Sequence, residues 1–146
     1  MADSSAKTIK DIISLEKGAL DKYFNGDMSG YYDIWSHDDF SYFDAGHDKR
    51  IDDFNEVKQF LDGRVAGKIH ADSYKFVSPR VQLNGNTGIL TYQLFADTNF
   101  IDMQYNVVEV FQKNAQGEWK VVHSTWDTIT PFSRELSKAR KSDVTV

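Results

Sequence analysis

In the first part of the chain, apolar residues recur at the spacing of a helix. Over 8–24 they fall at Ile9, Ile12, Ile13, Leu20, Tyr23 and Phe24, and Asn25-Gly26 supplies the stop that such a stripe needs. A short second helix is predicted next, with Tyr31, Tyr32, Ile34 and Trp35 crowding large side chains onto one or two turns. Phe40, Tyr42 and Asp44 then alternate with Ser41 and Phe43, the period of a strand. Beyond a polar loop over 45–50, Asp53 and Glu56 have capping-box spacing. Phe54, Val57, Phe60 and Leu61 give the third helix its apolar face.

From Ser73 the period changes to two. Residues 73–77 alternate, Ser78-Pro79 interrupts them, and 81–83 resume as far as the turn Asn84-Gly85-Asn86. Three long strands are predicted at 88–97, 102–113 and 118–129, the last two joined through Asn114-Ala115-Gln116-Gly117. Helices first and hairpin-linked strands afterwards predict an α+β domain: a curved antiparallel sheet with the helices packed in its concave face. It should span 8–132, with flexible termini at 1–7 and 133–146, the latter dispensable for folding.

The closing hairpin adds a second expectation. Tyr105, Val107, Phe111, Val122 and Trp126 share one face, Val108, Val110, Trp119 and Val121 the other. The register places Glu109 and Ser124 with the first set and His123 with the second. Helices can cover one face of such a sheet. The apolar outer face therefore predicts a homodimer, a second copy of the chain being the simplest cover.

Composition narrows the function classes. The chain has 146 residues, enough for one domain with a sizeable core. With no Cys it can build neither a disulfide nor a thiolate metal site. A net charge of −5 argues against a nucleic-acid partner, and no apolar run has the length of a membrane span. The N-terminal residues lack the pattern of a signal peptide, so the expected location is cytoplasmic. Aromatic residues make up 14% of the chain, which points to an aromatic core, an aromatic-lined pocket, or both.

Three stretches carry a family resemblance, covering roughly residues 8–130. The first is Gly26-Asp27 leading into the aromatic helix and on to Ser36-His37-Asp38-Asp39. The second is Tyr42-Phe43-Asp44-Ala45-Gly46. The third is Glu109-Val110-Phe111 followed by Gly117-Glu118-Trp119-Lys120-Val121-Val122-His123-Ser124. In this order they resemble the nuclear transport factor 2-like superfamily, in particular its SnoaL-like members. The resemblance implies a cone-shaped sheet enclosing a pocket, and homodimerisation through the outer face. It also implies a choice among ketosteroid isomerases, polyketide cyclases, dehydratases and non-catalytic binding domains. It places the isomerases' general base at Asp44 and their second acid at Glu109. Their oxyanion tyrosine falls at Ala19, which cannot donate.

The residues themselves support Asp44 and Glu109 as catalytic candidates. Asp44 follows Phe40 and Tyr42 on one strand face, though an Asp before Gly46 also suits a plain turn cap. Glu109 stands among Val107, Phe111, Val122 and Trp126, where an acid is seldom found without a partner such as Arg80. Both are expected in one pocket walled by Tyr23, Tyr32, Trp35, Tyr42, Phe60, Tyr92, Ser124 and Trp126, with at least one binding its proton more tightly than usual. His37, Asp38 and Asp39 read as a solvated turn, and no metal site or cofactor is expected. Two functions follow. One is acid–base proton transfer on a small, apolar, carbonyl-containing molecule, leading to isomerisation, cyclisation or dehydration. The other is a dimerising domain that binds a ligand or partner without chemistry.

Overall fold

The first helix is longer than its apolar stripe. In the computed structural model, which describes residues 2–129, α1 runs over Ala2–Tyr23. Residues 2–7, expected as a flexible lead-in, thus form its first turns. Ser4, Ser5 and Thr8 border a cleft with Leu83 and Trp119, so small polar residues cover the far end of the sheet where no apolar signal marks the helix. The expected tail at 133–146 lies outside the described residues. Among those described, no helix is long and apolar enough to cross a membrane.

After α1 come α2 (Ser29–Ile34), β1 (Ser41–Phe43), α3 (Phe54–Arg64), β2 (Lys75–Asn84), β3 (Thr87–Asp97), β4 (Asp102–Lys113) and β5 (Trp119–Thr128). Helix α3 opens as its sequence predicts, with the Asp53 carboxylate accepting from the Glu56 N–H at 3.2 Å. Two close backbone approaches fix the helices. Gly26, at φ 78°, ends α1, and its carbonyl accepts from the Gly67 N–H at 2.6 Å, tying that end to the exit of α3. In α2, a Cβ on Gly30 would lie 2.9 Å from the Ala19 Cα, so the two helices meet almost backbone to backbone.

The strands form one curved, open sheet in the order β1-β5-β4-β3-β2. Strands β2 to β5 are antiparallel, but β1 runs parallel to β5, with Tyr42 beside Ser124. The expected all-antiparallel sheet is corrected at this edge. β1 leaves through α3 instead of a hairpin, and that long connection permits the parallel direction.

Two irregularities bend the sheet. In β2 the register slips between Val77 and Arg80, where Pro79 has no N–H to donate and Ser78 sits at φ 52°. In β5, Val110 faces His123 while Phe111 faces Val121, leaving Val122 as the extra residue of a bulge. The bulge corrects the expected faces of the closing hairpin. Val121 is fully buried on the helix side and Trp119 packs there too, whereas Val122 points out with Val108 and Val110. Below the bulge, Glu109 faces Ser124 on the inside and His123 turns outward, as expected.

The two glycines of the helix pair offer a test of this packing. Gly30→Leu should cost about 1–3 kcal/mol or more, because the neighbouring Ala19 backbone cannot give way. Gly18→Ala, in the middle of α1 with nothing within 4 Å, should gain about 0.5–1 kcal/mol. Urea denaturation of both variants measures the pair.

Candidate functional site

Where α1, α2 and α3 approach the open end of the sheet, they leave a cavity of about 400 Å³. All three helices and several strands contribute rings to its wall: Tyr23 from α1, Tyr31 from α2, Tyr42 from β1, Phe60 from α3 and Trp126 from β5, with Trp35 at the end of α2. Trp126 is the hub. Its ring stacks on Tyr23 at 6.2 Å and meets Tyr31 and Tyr105 edge-on at 5.8 and 5.9 Å. Phe100 and Ile101, 54% and 55% exposed at the tip of the β3–β4 hairpin, form an apolar lip.

Polar groups gather at the mouth. Asp44 lines the cavity, its Oδ1 accepting from the Tyr42 hydroxyl and its Oδ2 from the Gly46 N–H, both at 2.9 Å. It is therefore a turn cap and a wall residue at once. Arg64, in the last turn of α3, borders the same opening, its guanidinium 5.0 Å over the Phe60 ring. Tyr23 and Tyr105 also line the cavity. Neither hydroxyl bonds to a described residue, and neither is among the buried atoms lacking a partner. Burial raises the pKa of both phenols and keeps them protonated; after burial the neighbouring Tyr105 and then Asp44 raise that of Tyr23, and Asp44 raises that of Tyr105 against the opposing charge of Arg64.

Glu109 is not in this cavity. It lies fully buried on β4, taking a hydrogen bond from the Ser124 hydroxyl, which in turn accepts from Trp126 Nε1 at 2.9 Å. Its partner is an acid instead of the expected Arg: Glu16 of α1, also fully buried. Glu16 Oε2 accepts from the hydroxyls of Tyr31 at 2.8 Å and Tyr92 at 2.5 Å. Glu16 Oε1, Glu109 Oε2 and the Trp35 indole N–H make no hydrogen bond of ordinary length, and Glu109 neighbours both Glu16 and Trp35, so that a proton on Glu109 directed at Glu16 would pair the two acids. Burial is the main force raising the pKa of each. Glu16 moves from 4.5 to about 6, held down by bonds from Tyr92, Tyr31 and Glu109. Glu109 goes well above its ordinary range, pushed further by the charge of Glu16.

Of the residues expected in the pocket, Tyr23, Trp35, Tyr42, Phe60, Trp126 and Asp44 line it. Tyr32 does not: its hydroxyl binds Asp62 at 2.8 Å, bridging α2 to α3 on the solvent side. Tyr92 and Ser124 belong with Glu109 in the buried polar layer behind the rings. Reading the sequence missed Glu16, Arg64 and Tyr105. Glu16 had a signal, because it stands four residues from both Ile12 and Leu20, inside the apolar stripe of α1. Arg64 lies one turn after Phe60 on the cavity face of α3.

No group of three or more metal-binding side chains converges among the described residues. His123, on the outer face, has its two nitrogens engaged by Ser41 and Thr125 hydroxyls at 2.7 and 2.6 Å.

The SnoaL-like domain family matches the chain over residues 12–126. Among solved structures, the chain is similar to a candidate ketosteroid isomerase of Parabacteroides distasonis. The two are 26% identical with a TM-score of 0.72, over 83% of this chain and 87% of that one. An NTF2-like protein of unknown function from Pseudomonas putida superposes with a TM-score of 0.73 at 16% identity, over 97% and 98% of the two chains. The CaMKII hub of S. rosetta does so at 0.64 and 21% identity, over 82% and 95%. These last two likenesses show the fold. The curated proteins contain no match to this chain.

The acid pair makes stability depend on pH with a definite sign. The folded chain holds protons on Glu16 and Glu109 that the unfolded chain releases near 4.5. Stability from this source is therefore full below that pH and falls as pH rises, by up to ~1.4 kcal/mol per pH unit for each proton held. Glu109→Gln keeps a donor toward Glu16 and an acceptor for Ser124 without a titrating proton. It should raise the melting temperature at pH 8 and flatten the profile between pH 5 and 8, as followed by thermal denaturation.

Proposed function

The chain belongs to the SnoaL-like domain family, and on that premise we propose that it binds a small, largely apolar, ring-bearing molecule in the cavity behind Phe100 and Ile101. The observation that carries this reading is the cavity itself: about 400 Å³, within the usual range for small-molecule sites, and walled mainly by aromatic rings. Its polar groups are few and sit at one end, where they can orient a ligand without paying for a buried charge.

A second reading, proton transfer on a carbonyl compound, is favoured by Asp44 at the end of β1, in a cavity that the phenols of Tyr23 and Tyr105 also line. Tyr23 stands one helical turn after Ala19 and faces the same space, so a phenol on α1 is at hand as a donor. The likeness to a candidate ketosteroid isomerase supports this reading. Glu109, sealed behind the rings, has no part in it.

We also propose that the outer face of the sheet pairs with a second copy of the chain. Val108, Val110, Val122 and Phe95 are half-exposed there and Ile89 is 38% exposed, together an apolar patch across three adjacent strands.

Three measurements test these readings. Titration with tetralin, a bicyclic hydrocarbon, should shift the indole N–H resonances of Trp35 and Trp126 while leaving Trp119, outside the cavity, unmoved. Movement of Trp119 alone would place binding elsewhere. With 2-tetralone, the chain should speed exchange of the α-hydrogens for deuterium. Asp44→Asn should cut that rate at least about a hundredfold with binding retained, whereas Glu109→Gln should leave it nearly unchanged. Sedimentation should give a dimer at micromolar concentration, weakened by Val110→Glu.

A further inference from the structure

Arg64 reaches across the mouth of the cavity, from the last turn of α3 to the loop after β1. Its guanidinium lies 5.0 Å over the Phe60 ring and packs on the backbone of Gly46, where an added Cβ would stand 3.0 Å from one of its nitrogens. These two contacts hold the charge at the opening. It makes no ion pair with any described residue. The acids near it are engaged elsewhere: Asp62 with Lys58 and Tyr32, and both oxygens of Asp44 with the Tyr42 hydroxyl and the Gly46 N–H. The charge of Arg64 is felt by the phenol of Tyr105 on β4, which lines the same cavity, as does Thr128 on β5. The mouth thus presents a guanidinium and hydroxyls beside a single carboxylate whose oxygens already accept.

We propose that the cavity takes an aromatic carboxylic acid, with its rings among Tyr23, Trp35 and Trp126 and its carboxylate at the mouth on Arg64 and Tyr105. The inference rests on the binding reading above and names the polar end of the ligand. A carboxylate matches the planar fork of an arginine with two parallel hydrogen bonds and also accepts from a phenol. A neutral amide does so less well, and an ammonium not at all. Asp44 opposes an anion, but it lies outside ion-pair distance of the guanidinium. On the Tyr105 side of Arg64, a carboxylate in hydrogen-bond contact gains more from the near charge than it loses to the farther one, since Coulomb energy falls with separation. The mouth is open to water, so the anion keeps part of its hydration and escapes the full cost of burial.

The test titrates four ligands of similar size at neutral pH and follows the Trp35 and Trp126 indole signals: tetralin, 2-naphthoate, its neutral counterpart 2-naphthamide, and the cation 2-naphthylmethylammonium. The wild-type chain should bind 2-naphthoate about tenfold or more tighter than 2-naphthamide, and the ammonium more weakly than either. Arg64→Met should narrow the preference for the acid to less than about twofold with tetralin still bound, and Arg64→Lys should keep part of it. Should Arg64→Met fail to hold tetralin, Arg64→Gln takes its place in the comparison. Tyr105→Phe should weaken 2-naphthoate by about two- to tenfold, the loss of one hydrogen bond. If tetralin binds but 2-naphthoate has no advantage over the amide, or the ammonium binds most tightly, the acid assignment is overturned while the pocket stands. If the preference for the acid survives the loss of the guanidinium, the role of Arg64 is overturned. If none of the four binds, the binding reading falls, and this inference with it.

Discussion

Two carboxyl groups enclosed together in an apolar interior repel each other unless a proton lies between them, and the centre of this fold encloses such a pair. Glu16 and Glu109 are both fully buried, one on the first helix and one on a central strand. Around them, almost every layer of the cone sends one polar group inward: Tyr31 from α2, Tyr92 from β3, Ser124 and the Trp126 indole from β5. Such a network is costly if any member is left unpaired, so it specifies how far α1 is rotated and how deep it sits against the sheet. The aromatic layer above it inherits that precision. Tyr31 and Trp126 each face the acid pair with a polar edge and the cavity with a ring. The floor of the cavity is therefore the roof of the polar core.

This layering separates two kinds of chemistry that the sequence places close together. Glu109 titrates abnormally because it is sealed, and for the same reason no ligand in the cavity meets it. Asp44 and Arg64 meet the cavity because they sit at the end of a strand and the end of a helix, where side chains reach both solvent and the interior. Buried acids attract functional interpretation, yet here the buried acid pair belongs to the scaffold. The groups able to touch a ligand are ordinary in burial and unusual in arrangement.

Much of the fold could be read from local pattern. The capping pair Asp53 and Glu56, the period-two strands with their turns, and the pairing of Glu109 with Ser124 all follow from short-range rules, and the structure keeps them. What escaped depends on distant partners. The early start of α1 answers to Trp119 and Leu83, more than seventy residues away along the chain. The parallel β1 edge follows from the route of the connection and not from any residue in Ser41–Phe43. Tyr32 was legible as a packed ring but not as one facing outward, since Asp62 decides that. Glu16 was legible in principle. A lone acid within an apolar stripe signals a polar partner across the core, and Tyr92 is that partner.

The extra residue in β5 divides that strand into two frames. Up to Val121 the inward residues follow one parity, and from Ser124 onward they follow the other. A relative that lacks the bulge cannot be aligned with this strand by a single unbroken pairing. Residues before the bulge and those after it must be matched separately, or every inferred lining residue on one side will be assigned to the opposite face. Deleting Val122 would restore unbroken alternation along β5, with Trp119 and Val121 in the same inward row as Ser124 and Trp126, and would remove only the extra bend and twist that the bulge gives the sheet.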